Sequence, residues 1–99
     1  MIIKREGSSP GTVLVTFELP RAIAADEVHL VGDFNGWDRR SLPLQRREPN
    51  GPWTVSLELE RNRTYHFRYL VNGNAWHNDW NADRYAPNPF GGDNSVVET

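Results

Sequence analysis

Ninety-nine residues make one domain's worth of chain, too short for a second domain and far below the roughly 250 residues of the (β/α)₈ barrels on which paired carboxylates commonly cleave polysaccharides. Eleven Lys and Arg against thirteen Asp and Glu leave a net charge of -2, which excludes a global positive field for nucleic acid or anionic lipid; with no cysteine, disulfide staples and thiolate metal sites are excluded too. Four Trp, three Tyr and four Phe in a chain of mean hydropathy -0.68 concentrate aromatic surface in an otherwise polar molecule. No run is long and apolar enough for a signal peptide or a bilayer span, so the expectation is a cytoplasmic protein with no membrane partner.

In chain order, the segment up to Pro10 ends in Gly7-Ser8-Ser9-Pro10 and reads as a flexible leader over residues 1–10. From Thr12, Val13, Val15, Phe17 and Leu19 alternate with Thr16 and Glu18, the period of a half-buried strand that Pro20 ends. Glu27 to Val31 is a second strand running into Gly32, and Gly32-Asp33-Phe34-Asn35-Gly36-Trp37-Asp38 is a turn cluster with a Trp near its end. Ser41 to Arg47, interrupted by Pro43, is expected as a short edge strand. After the turn 48–52, Trp53, Val55, Leu57 and Leu59 alternate with Thr54, Ser56, Glu58 and Glu60. Tyr65, Phe67, Tyr69 and Val71 then share one face of a strand and His66, Arg68 and Leu70 the other, before the hairpin-forming Asn72-Gly73 and a short return strand Ala75-Trp76-His77. Residues 78–94 show no period and are expected as a loop; Ser95 to Glu98 closes as a last strand.

Short strands punctuated by turns, with no helical period to carry parallel crossovers, predict an all-β, single-domain antiparallel β-sandwich of immunoglobulin-like size over residues 11–99. The chemistry is sparse. The loop carboxylates Asp33, Asp38, Asp79, Asp83 and Asp93 are better explained as turn caps than as an acid and base held across a glycosidic bond. His77-Asn78-Asp79 with Asp83 lacks the ligand spacing of zinc or calcium sites, and the Gly32 turn lacks the pattern of a phosphate cradle, so no metal, cofactor or catalytic residue is expected. Arg39, Arg40, Arg46 and Arg47 form a local basic patch, either a charged edge that blocks strand pairing or a phosphate contact. Trp53 keeps the register of a core stripe. Trp37 and Trp76 follow turns, so each is either folded over a small satellite cluster or offered to a ligand; a sugar is a natural one, because its C–H face matches an indole π face. Arg68, His66, Asn72, Asn74 and Asn94 are able to supply the hydrogen bonds.

The run Glu27 to Trp37, then Leu42-Pro43-Leu44, then Tyr65-His66-Phe67-Arg68-Tyr69-Leu70-Val71-Asn72-Gly73 resembles the early-set, isoamylase N-terminal type of carbohydrate-binding module, family 48, which occurs in glycogen branching and debranching enzymes and in the β subunit of the AMP-activated protein kinase. The resemblance implies an early-set sandwich that binds α-1,4-linked glucans of the glycogen and starch type without catalysis. Residue by residue it implies that Trp37 and Trp76 stack on sugar, that Arg68 takes the place of a basic contact residue, that Asn94 hydrogen-bonds, and that Phe90 stands where an aliphatic residue reaches through a cyclic glucan; Gly92 replaces a hydroxyl residue of the family pattern. A second implication comes from family members whose module packs on a catalytic domain: a structural or docking module pairing with a separate glucan-active enzyme through the same aromatic surface.

Overall fold

A computed structural model describes residues 1–20, 23–89 and 91–99. Among the described residues there are eight strands, β1 (Ile2–Glu6), β2 (Thr12–Leu19), β3 (Val28–Gly32), β4 (Trp53–Glu60), β5 (Thr64–Val71), β6 (Ala75–His77), β7 (Arg84–Pro87) and β8 (Asp93–Glu98), with one 3₁₀ turn at Asp33–Asn35. They form an immunoglobulin-like sandwich of two antiparallel sheets, one ordered β1-β2-β4 and the other β3-β5-β8-β7, with β6 pairing on β5. Among the described residues no helix is long and apolar enough to cross a membrane.

The alternation read from the sequence decides which side chains face inward. Val13, Val15, Phe17 and Leu19 of β2 are buried at every second position, and β4 pairs with them in the register Val13↔Leu59 to Leu19↔Trp53. From the opposite sheet, Leu30, Phe67, Tyr69, Val71 and Val97 meet this face in one hydrophobic cluster. Phe67 sits edge-on to Phe17 at 5.0 Å and to Tyr69 at 5.8 Å, the offset geometry that aromatic quadrupoles prefer. Trp53 is at the rim of this core, half-buried against the cluster with the Arg46 guanidinium 4.9 Å above its ring.

Three segments differ from expectation. Residues 2–6 of the expected leader are β1, paired with β2 in the register Ile2↔Phe17 to Glu6↔Val13. Ile-Ile-Lys-Arg-Glu has no alternation, so the strand exists because the edge of β2 offers unpaired backbone groups and not because its side chains demand a face. Gly7 to Gly11 thereby becomes a hairpin loop, in which Ser8 and Thr12 donate to the Glu58 carboxylate and hold its pKa below the ordinary carboxylate range. Residues 84–87, expected within a loop, form the edge strand β7 on β8, with Pro87 at its end where a missing N–H is tolerated. The segment 41–47 is not a strand: its isolated bridges His29↔Pro43 and Gln45↔Thr54 carry the chain from the edge of one sheet to the edge of the other.

The 78–83 link is tied down by Asp79, 1% exposed. Its Oδ2 accepts from the Tyr69 hydroxyl at 2.7 Å and from the Met1 amine at 2.6 Å, its Oδ1 from the Asn81 amide, and its own N–H donates to Ser95 Oγ. This is a turn network, as the sequence suggested. Burial, followed by the Asp79 charge, raises the Tyr69 hydroxyl well above the ordinary phenol range. A raised pKa means that this group's contribution is complete below about pH 10 and is lost as the pH climbs through the folded value. Tyr69→Phe, which strips a buried carboxylate of a donor, is expected to cost about 1–3 kcal/mol at neutral pH and to remove Tyr69's share of the alkaline loss; urea melts from pH 7 to about pH 11 check both.

Candidate functional site

At the end of β3 the chain makes a turn in which almost every side chain has a structural task. Gly32 is extended, yet a Cβ there would lie 2.5 Å from the His66 carbonyl oxygen and 2.8 Å from Phe67 Cβ, so only glycine lets β3 end this close to β5. Phe34 turns inward and packs against Phe17 at 5.5 Å and Tyr65 at 5.9 Å, anchoring the loop to the core. The Asn35 amide accepts from Gly32 N–H and donates to the Asp38 carbonyl and Ser41 Oγ. Gly36 and Trp37 follow in the left-handed region with φ of 64° and 61°. For a bulky residue that conformation costs about 1–2 kcal/mol, which the surrounding hydrogen bonds offset. Among them, the Trp37 N–H donates to the Gly32 carbonyl, and the indole Nε1–H donates to Asp33 Oδ1 at 2.9 Å while Asp33 Oδ2 accepts from the His66 amide at 2.7 Å. The indole is therefore fixed to the sheet through a carboxylate.

The second indole arrives from the hairpin. Asn72 and Gly73 take φ of 54° and 74°, the mirror-image turn that Asn-Gly favours, and β6 then sets Trp76 opposite Leu70. On β5, Arg68 lies opposite Val31 and on the same sheet face as Leu70, pointing away from the core. The guanidinium groups of Arg68 and Arg39 lie 5.6 and 5.5 Å from the Trp76 ring centroid. Arg68 Nε is buried without a hydrogen-bond partner, a donor that costs free energy until an acceptor reaches it. β8 brings Asn94, whose Oδ1 accepts a long hydrogen bond from Asn88.

These elements enclose a surface cleft of about 670 Å³ lined by Trp37, Arg68, Trp76 and Asn94 together with Asp33, Arg39, His66, Asn88 and Pro89. Four of the five residues singled out from the sequence thus converge on one cleft, and the fifth, Phe90, lies outside the described residues. Asn72 is elsewhere, its side chain accepting from the Asp26 and Glu27 amides to tie the hairpin turn to the segment before β3, and Asn74 is exposed and does not line the cleft. The sequence reads Asp33 as a turn cap and Arg39 as part of a basic patch, and only the fold shows that both line the cleft beside Trp37. His66 was detectable from its even spacing with Arg68 on β5. Among the described residues no group of three or more His, Cys, Asp or Glu side chains is placed to hold a metal ion.

The sequence pattern of carbohydrate-binding module 48, the isoamylase N-terminal domain, matches residues 15–86, well over half of the chain. The chain belongs to this family. Its match takes in Trp37, Arg68 and Trp76 but stops short of Asn94. Among characterised proteins, the chain is 42% identical over 60 residues to the 1,4-alpha-glucan branching enzyme GlgB of Aquifex aeolicus, covering 60% of this chain and 10% of that enzyme. It is 59% identical over 31 residues to GlgB of Pseudomonas aeruginosa and 55% identical over 31 residues to GlgB of Burkholderia lata, in each case 31% of this chain and 4% of the enzyme. The chain thus spans a tenth or less of the length of these relatives. It has the binding module's pattern.

Because a Cβ at position 32 would strike backbone and not a flexible side-chain end, Gly32→Ala is expected to destabilise this family-48 module by about 1–3 kcal/mol. A melting curve coincident with the parent's would show that the close approach does not constrain the turn.

Proposed function

We propose that this module binds α-1,4-linked glucan of the glycogen and starch type, non-catalytically and without a cofactor, in the cleft between Trp37 and Trp76. The observation that carries the reading is the convergence of the two indoles with Arg68 and Asn94 on a single open cleft of about 670 Å³. Stacking a pyranose on an indole needs a rigid, partly exposed ring, and Trp37 has one, held by Asp33. Arg68 and Asn94 offer donors and an acceptor for sugar hydroxyls, and the Asn35 and Asp33 hydrogen bonds preorganise the platform so that little ordering is left to the ligand. A single platform with a few hydrogen bonds corresponds to Kd on the order of 10 µM to 1 mM.

A docking role beside a separate glucan-active enzyme is the second reading. It is favoured by Trp80 and Tyr85, 58% and 46% exposed outside the cleft.

Calorimetric titration with β-cyclodextrin and maltoheptaose separates the two. Trp37→Ala and Trp76→Ala are expected to leave the melt near that of the parent while each removes about 1–3 kcal/mol of glucan affinity, by analogy with bases stacked on aromatic side chains. Trp53→Ala, at the rim of the core, is expected to cost about 3 kcal/mol of stability. No heat at millimolar sugar, or sugar binding unchanged in both cleft variants, would overturn the glucan reading and leave the docking one.

A further inference from the structure

Beyond Arg39 the sheet face opens into a second pocket of about 400 Å³, lined by Glu27, His29, Arg39, Arg40, Leu70 and Gly73. Arg39 lines both pockets, so the second lies next to the first. Its two arginines are adjacent in sequence, line one concave site and, among the described residues, carry no ion pair. Lys4, Arg61, Arg63 and Arg84 each have a carboxylate within 4.0 Å, whereas among the described residues the Arg39 and Arg40 guanidiniums have neither an ion-pair partner nor a hydrogen bond to protein. The Asp38 carboxylate, the nearest acid in the chain, is engaged with the Arg40 backbone N–H. In a protein of net charge -2, two adjacent unpaired guanidiniums at the mouth of a pocket, with the His29 ring beside them, make a local anion site.

We propose that this second pocket is a subsite for a phosphomonoester carried on a glucose unit, with Arg40 and Arg39 as its principal contacts. The proposal rests on the glucan reading of the neighbouring cleft for the sugar to which the phosphate is attached. A phosphomonoester holds about -1.5 to -2 charge at pH 7 on oxygens that match the planar donor fork of arginine. A volume of about 400 Å³ suits one hexose phosphate. The Glu27 carboxylate in the same pocket is able to accept from sugar hydroxyls, and it disfavours a continuous polyanion such as nucleic acid, for which one confined pair of arginines beside an acid makes a poor track. The phosphate arrives either on a residue within a glucan chain or on a free hexose phosphate.

The test is calorimetry at low salt with maltoheptaose, a maltooligosaccharide bearing a 6-phosphate, glucose 6-phosphate and a single-stranded DNA oligomer, on the parent, Arg40→Gln and Arg40→Lys. Arg40 lines only the second pocket, so maltoheptaose binding is expected to be unchanged in both variants. The parent is expected to favour the phosphorylated over the neutral oligosaccharide by about five- to tenfold, with the preference shrinking in about 0.5 M salt. Arg40→Gln should lose most of the preference and Arg40→Lys retain part of it. Binding of glucose 6-phosphate alone with the same Arg40 dependence assigns the site to free sugar phosphate; preference confined to the chain-borne phosphate assigns it to phosphorylated glucan. Equal affinity for phosphorylated and neutral sugars in the parent, a preference that survives Arg40→Gln, or tighter binding of the DNA oligomer would each overturn the subsite. Silence of maltoheptaose with Arg40-dependent binding of glucose 6-phosphate would sink the glucan reading and leave the subsite standing.

Discussion

Phe34 is the point at which the binding face and the core become one structure. Its ring leaves the end of β3 and enters the space between Phe17, Tyr65 and Phe67, so the turn that carries Trp37 is held by the same apolar contacts that hold the two sheets together. Partial burial of a ring of this size stabilises by roughly 1–2 kcal/mol, comparable to the cost of the left-handed backbone that Trp37 adopts. The remaining polar contacts of the turn then act over short range: Asn35 closes it on itself, and Asp33 spans from the indole to the amide of β5. A platform supported in this way needs no ligand to set its position.

The distribution of charge divides the molecule in a way that its net value conceals. Ion pairs bind the periphery, Lys4 to Asp83 between β1 and the segment before β7, Arg84 to Glu98 between β7 and β8, and Arg63 to Glu60 across the β4–β5 turn. Each is solvent-exposed and worth at most about 1 kcal/mol. Around the cleft the pattern reverses. Arg39 and Arg68 lie over Trp76, among the described residues with no carboxylate within 4.0 Å of either guanidinium, and Arg40 follows Arg39 in the next pocket. A guanidinium over an indole keeps the ring's apolar face usable while raising the local potential, a combination suited to a polyhydroxylated ligand and to an anionic group attached to it.

The outer face of the five-stranded sheet is more than a support for these groups. Val31, Leu70 and Val96 are buried there although they share register positions with Arg68, Trp76 and His66 and take no part in the central cluster. The sheet beneath the cleft therefore has buried apolar side chains on both of its faces.

The alternation of Val13 to Leu19, Trp53 to Leu59 and Tyr65 to Val71 determined by itself the sheets, their inward faces and the placing of Arg68 and His66 outward, because a strand's period of two leaves no other assignment. The turn chemistry of Gly32 to Trp37 and of Asn72-Gly73 likewise showed where both indoles leave the strand pattern. Only the tertiary structure decided what has no local signal. β1 and β7 are strands because a neighbouring edge presents free backbone groups, which no side-chain pattern in Ile2–Glu6 or Arg84–Pro87 records. Asn94, Arg39 and Asp33 enter the cleft because chain segments distant in sequence are brought side by side in the sheet, Asp33 by way of its bond to β5 and Asn94 by way of β8. Which arginines stay unpaired was equally beyond the sequence, since pairing depends on distances across the fold between residues such as Lys4 and Asp83 that no spacing along the chain encodes.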